Sequence, residues 1–133
     1  MYPENEKKIQ VKTRKLSSFV KAKPIKKIGF LKVDAQGNDF AIVKDLFENT
    51  DQIAIEQLQI ECQKFNETVP LYFASNDCGD IEDYIGQKKG GQVRKVTYSS
   101  NNCAAGEFDV NFYFGDAGWR RYERKMRRKG GRT

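Results

Sequence analysis

The stretch EFDVNFYF at 107–114 constrains this chain more than any other. Phe108, Val110, Phe112 and Phe114 fall on one side of an extended backbone, with Asp109, Asn111 and Tyr113 on the other. Side chains of a strand alternate between faces, so this strict period of two predicts a strand with one buried face. A strand buries that face only in a sheet, and the rest of the chain must supply neighbours. KKIGFLKVDAQGNDFAIVKDLF reads as a hairpin: Leu31 and Val33 share one face, as do Ala41 and Val43, and DAQGND supplies turn chemistry through Gly37 and Asn38. TVPLYFAS and QVRKVTYSS read as two further strands, and NDCGDIEDYIGQKKGG as a loop with a helical turn around Ile81 to Ile85. In NTDQIAIEQLQIECQKFN, Ala54, Leu58, Cys62 and Phe65 recur at helical spacing, which predicts the main helix. The resulting class is α+β, a small, mostly antiparallel sheet with one main helix on one face and basic extensions at both ends.

Charge divides the chain into three parts. Residues 1–28 hold nine Lys or Arg against two Glu, a net +7, and residues 119–133 hold eight against one, again +7. Residues 29–118 hold seven basic and fifteen acidic side chains, a net −8. The expected organisation is a basic N-terminal arm (1–27) lacking structure of its own, an acidic body (28–118) and a basic C-terminal helix or tail (119–133). No apolar run reaches the ~20 residues that span a bilayer, and the N-terminus has no signal-type apolar segment. With Cys62, Cys78 and Cys103 odd in number and at unrelated spacings, reduced thiols and an intracellular, cytoplasmic location are expected.

The C-terminal segment GWRRYERKMRRKGGRT carries the strongest functional signal. Trp119, Tyr122 and Met126 form one stripe of a helix and read as partner-anchoring residues. Arg120, Arg121, Arg124, Lys125, Arg127, Arg128 and Lys129 cover its other faces, and Arg132 follows. Arginine forks grip phosphate bidentately. Together with Lys12, Arg14 and Lys15 in the other arm, and Lys88, Lys89 and Arg94 beside the glycine pair, these side chains are the candidate nucleic-acid-binding set.

Catalytic signatures are sparse. GQKKGGQVRK lacks the order of a phosphate-binding loop, and Asp77, Asp80, Glu82 and Asp83 lack that of a calcium loop. There is no histidine and no CxxC, so no metal and no cofactor are expected. FLKVDAQGNDFAIVKD resembles the opening strand and turn of the diaminopimelate epimerases. That resemblance implies a substrate-holding role for Asn38 and acid–base roles for Cys78 and Cys103. The similarity covers about sixteen residues, the family's CGNG signature is missing, and Asp77 and Asp80 flank Cys78, where they disfavour a thiolate.

The sequence therefore predicts a non-enzymatic component of a nucleic-acid-containing assembly, similar in composition to ribosomal proteins. Its arms would bind phosphate, RNA favoured, and its body would face neighbouring proteins, with no membrane partner. The alternatives are a structural subunit of a viral particle or multisubunit complex, its arms docked on acidic partner surfaces, and a single-strand binding module with Tyr98, Arg94 and Tyr113 on the sheet.

Overall fold

The computed structural model describes residues 7–50, 53–64, 76–102 and 106–131. In chain order the elements are helix α1 (Leu16–Ala22), strand β1 (Lys27–Val33), helix α2 (Asp39–Asn49), strand β2 (Ala54–Gln63) and helix α3 (Cys78–Lys89). A short 3-10 turn (Gly90–Gln92) leads to strand β3 (Val93–Asn102), strand β4 (Glu107–Phe114) and helix α4 (Gly115–Gly130). The sheet order is β1-β2-β4-β3. β1 runs parallel to β2, while β4 is antiparallel to both β2 and β3. The class is α+β with a mixed sheet, and two of its three pairings are antiparallel.

The strand expected at 107–114 is β4, with Val110, Phe112 and Phe114 buried on its apolar face. Three other elements differ from expectation. The expected hairpin is β1 followed by α2, because Phe40, Val43 and Phe47 recur at helical spacing and bury one face of a helix. A parallel partner then needs a crossover connection, and α2 provides it. The expected main helix is strand β2: in QLQIECQ the apolar side chains Leu58, Ile60 and Cys62 also alternate at a period of two, and pairing with β4 selects that period. The expected acidic loop is α3, capped by the Asp77 carboxylate accepting from the Asp80 N–H at 3.0 Å. The strand expected in TVPLYFAS falls mostly at 65–75, outside the described residues.

Leu58, Ile60, Val110 and Phe112 face a core completed by Val43, Leu46 and Phe47 of α2 and Ile81 and Ile85 of α3. α1 lies within the basic N-terminal stretch and rests on α2, where the Asp45 carboxylate accepts from the Ser17 N–H and hydroxyl, both at 2.9 Å. Those bonds, the backbone one first, hold the Asp45 carboxyl below its usual range. Cys62, near the end of β2, and Cys78, at the start of α3, are joined by a buried disulfide. The expectation of reduced thiols is thus corrected for this pair: β2 and α3 bring their Cα atoms to 4.9 Å, a proximity that a spacing of 16 residues does not reveal. No described helix is long and apolar enough to cross a membrane.

Candidate active site

The second face of the sheet is polar, and much of it is buried. Gln57, Gln59, Glu61 and Gln63 of β2 alternate with the core residues, and Asp109, Asn111 and Tyr113 do so on β4. Cross-strand registry sets Gln57 beside Tyr113, Gln59 beside Asn111 and Glu61 beside Asp109. α4 folds back over one end of this face. Gly118 makes that approach possible, since a Cβ there would lie 2.5 Å from the Glu56 carbonyl oxygen and 2.9 Å from the Tyr113 carbonyl carbon. Beneath the helix, the Gln57 amide donates to Asn111 Oδ1 at 2.8 Å and accepts from Arg121 Nε at 3.4 Å.

The other end of the face lies at the carboxyl ends of β1 and β2, where ligands bind in sheets with parallel strands. Val33 is level with Ile60, so Asp34 follows opposite Glu61, and the row Asp34, Glu61, Asp109 runs from the residue after β1 across β2 and β4. Glu61 is buried. Burial pushes its carboxyl above the usual range, and the negative charges of Glu107, Asp34, Asp39 and Asp109 push it further. Burial also raises the Asp109 carboxyl, with the Lys32 ammonium pulling the other way. Carboxyls that hold a proton more tightly than a free carboxylate, grouped at such a position, have the chemistry of a proton acceptor.

A built turn supports this end. After β1 the chain passes through Gln36 at φ 49° and Gly37 at φ 101°, left-handed backbone that only Gly37 adopts without cost. Asp39 is fully buried and fixes the turn: its carboxylate accepts from the Ala35 and Gly37 N–H groups, each at 3.0 Å, and from Asn76 Nδ2 at 3.2 Å. Asn76 also donates to the Glu61 carbonyl at 3.0 Å and accepts from the Phe40 N–H at 3.2 Å. One buried Asp–Asn pair thus ties the β1 turn, the start of α2 and the end of β2 together. Non-glycine backbone in a strained region next to a buried polar network is where function concentrates.

Residues 2–99 match the family model of the methyltransferase FkbM domain. The chain belongs to that family. No curated protein and no solved structure matches it. The match spans β1, the Asp34–Asp39 turn, α2, β2 and α3, and ends in β3. It overturns the reading of a non-enzymatic, ribosomal-protein-like component of a nucleic-acid assembly, along with the structural-subunit and single-strand-binding alternatives, because a methyltransferase domain is an enzyme. Basic arms on an acidic body are a statement about charge, and charge does not identify a reaction.

In this FkbM domain the cationic residues singled out by sequence are dispersed. Lys12, Arg14 and Lys15 lie in the segment without regular structure before α1, with Arg14 over the Phe19 ring at 6.0 Å. Lys88 and Lys89 end α3 and lie over Tyr84 and Phe47 at 5.9 and 5.6 Å. Arg94 pairs with Asp116 and covers Trp119 at 5.7 Å. Arg121, Arg124, Lys125, Arg128 and Lys129 share one cleft, whereas Arg120 and Arg127 point elsewhere on α4 and Arg132 lies outside the described residues. Trp119 and Tyr122 pack inward, the Tyr122 ring lying 5.4 Å from both Tyr113 and Trp119, while Met126 remains exposed.

The epimerase roles find no counterpart. Cys78 is held in the disulfide, Asn38 precedes α2 without a side-chain capping bond, and Cys103 lies outside the described residues. Among the described residues no group of three or more acidic or thiol ligands is placed to hold a metal. Sequence reasoning missed Asp34, Asp39, Glu61, Asn76 and Asp109. The period of two in QLQIECQ was the available signal for Glu61, and the polar face of EFDVNFYF for Asp109. Asp39 and Asn76 become a pair only through the fold.

Proposed function

We propose that the chain transfers a methyl group to a hydroxyl-bearing acceptor, with the Glu61–Asp109 pair taking the acceptor's proton. The observation that carries this reading is the row Asp34, Glu61, Asp109 at the carboxyl ends of the parallel strands, with burial raising the proton affinity of two of its members. A bound sulfonium donor such as S-adenosylmethionine supplies an electrophilic methyl carbon. Exposed Asp34 is the carboxylate placed to face its positive charge. Asp109, only partly buried, is the member an acceptor can reach, and Glu61 lies buried beside it. The acceptor hydroxyl loses its proton to this pair as its oxygen bonds to the methyl carbon, while the carbon–sulfur bond breaks and its electron pair leaves with the neutral thioether.

Loss of a positioned general base costs about 10²–10⁴-fold in rate. Asp109→Asn and Glu61→Gln are therefore expected to lower methyl transfer about 100-fold or more, measured with methyl-labelled S-adenosylmethionine and a panel of hydroxylated acceptors. The donor's dissociation constant should change little. A base must be unprotonated to act, so the ascending limb of the pH–rate profile should lie above the ordinary carboxylate range. Full activity in both variants, with an unchanged pH profile, would remove the pair from the chemistry.

On location, a cytoplasmic protein keeps its thiols reduced, whereas the Cys62–Cys78 disulfide suits an oxidising compartment. We infer the latter. Alkylation at harvest is expected to leave two of the three cysteines unmodified until a reductant is added. Alkylation of all three without reductant would return the protein to a reducing compartment.

A further inference from the structure

The cleft under α4 has the opposite charge to the carboxylate row on the same sheet face. It is an open cleft of about 450 Å³, lined by Arg121, Arg124, Lys125, Arg128, Lys129 and Gln57. These five cations recur at three- and four-residue steps, so a single face of the helix presents them. Of the five, only Arg121 meets a carboxylate among the described residues, Glu56 at 3.9 Å. The remaining four carry no ion pair there, which leaves the cleft at about +4. Its floor is built, since Gln57 is 8% exposed and its amide is held by Asn111 and Arg121. Cations complement the helix dipole in the last turn, which accounts for Arg128 and Lys129 but not for Arg121, Arg124 and Lys125.

A concentration of unpaired cations along an open cleft of ligand size calls for a multiply charged anion, and arginine forks match the geometry of phosphate oxygens. We propose that this cleft binds the phosphate groups of a small phosphorylated ligand, and that this ligand is the methyl acceptor. The second half of that statement rests on the methyl-transfer reading. Gln57 and Glu61 lie four residues apart on one face of β2, about 13 Å at the rise of a strand. An acceptor anchored by its phosphates at Gln57 therefore reaches the carboxylates with a hydroxyl about 1.3 nm away.

The test is calorimetric binding of pyrophosphate to the full chain at physiological salt, with Arg124→Gln/Arg128→Gln compared with Arg120→Gln/Arg127→Gln. Both double variants remove two charges from exposed positions of α4, but only the first pair lines the cleft. The expected result is at least a tenfold loss of pyrophosphate affinity in the first variant and less than a twofold change in the second. Equal losses in both would overturn the proposal, because binding would then follow net charge alone. It would also be overturned if pyrophosphate failed to bind while anionic phosphatidylglycerol vesicles or a nucleic-acid polyanion did. Pyrophosphate binding in the cleft without competition against acceptor methylation would leave the anion site standing and overturn its link to the acceptor.

Discussion

Gly118→Ala is expected to destabilise the protein by about 3 kcal/mol and to lift α4 off the sheet. The added Cβ would lie 2.5 Å from the Glu56 carbonyl oxygen and 2.9 Å from the Tyr113 carbonyl carbon. Both are backbone atoms of paired central strands, so neither can swing aside as a flexible side chain would. Relief requires the whole helix to move, and the contacts of Tyr122 with Tyr113 and of Arg121 with Gln57 go with it. Overpacking of a tight site costs typically 1–3 kcal/mol, and exposure of the buried amides beneath adds to that. Trp119 is the sole tryptophan, so its fluorescence reports the docking directly. The expected outcome is a red-shifted emission together with a midpoint lower by roughly 10 °C. Gly86→Ala is the control: the space beside it is open, α3 is helical there, and the change should stabilise by about 0.5–1 kcal/mol. An unchanged midpoint and emission in Gly118→Ala would show that the helix does not sit against the strands at this distance.

Asp39→Ala should have an effect of similar size at the other end of the same face, and it should abolish methyl transfer as well. Removal of the carboxylate leaves the N–H groups of Ala35 and Gly37 and one amide hydrogen of Asn76 without their acceptor. Each buried donor left unsatisfied costs about 1–3 kcal/mol, less where the site relaxes or admits water. A total near ~4 kcal/mol follows. Gln36 and Gly37 hold left-handed backbone that these bonds stabilise, so the turn should lose its shape before the core melts. Amide hydrogen exchange distinguishes this from general unfolding: protection should fall first at Ala35 and Gly37, while Leu58 and Phe112 remain protected. Asp39→Asn retains one acceptor and should lose about half as much. Wild-type protection at the turn in Asp39→Ala would refute the role assigned to this carboxylate.

How much of this was legible beforehand depends on the range over which each signal acts. β4 and α4 were read at close to their observed positions, because each satisfies one periodicity and no other. EFDVNFYF alternates strictly, and the cationic helix shows its apolar stripe of Trp119, Tyr122 and Met126 at i, i+3 and i+7. β2 was misread because its apolar residues satisfy two periods at once. Leu58 and Cys62 suit a helix, while Leu58, Ile60 and Cys62 suit a strand. Only its partners choose between them, and β1 and β4 lie far away in sequence.

By itself the sequence determined the α+β class, the alternating strand, the basic amphipathic helix and the separation of charge along the chain. These are properties of neighbouring residues and of backbone geometry. The tertiary structure alone decided which charges meet. It buried Glu61 beside Asp109, closed the Asp39–Asn76 pair from 37 residues apart, joined Cys62 to Cys78, and sorted seven helical cations into those that line a cleft and those that face solvent. The energy of a titratable or polar group depends on the dielectric and the partners around it, and both are set by chain segments that meet only when the sheet forms.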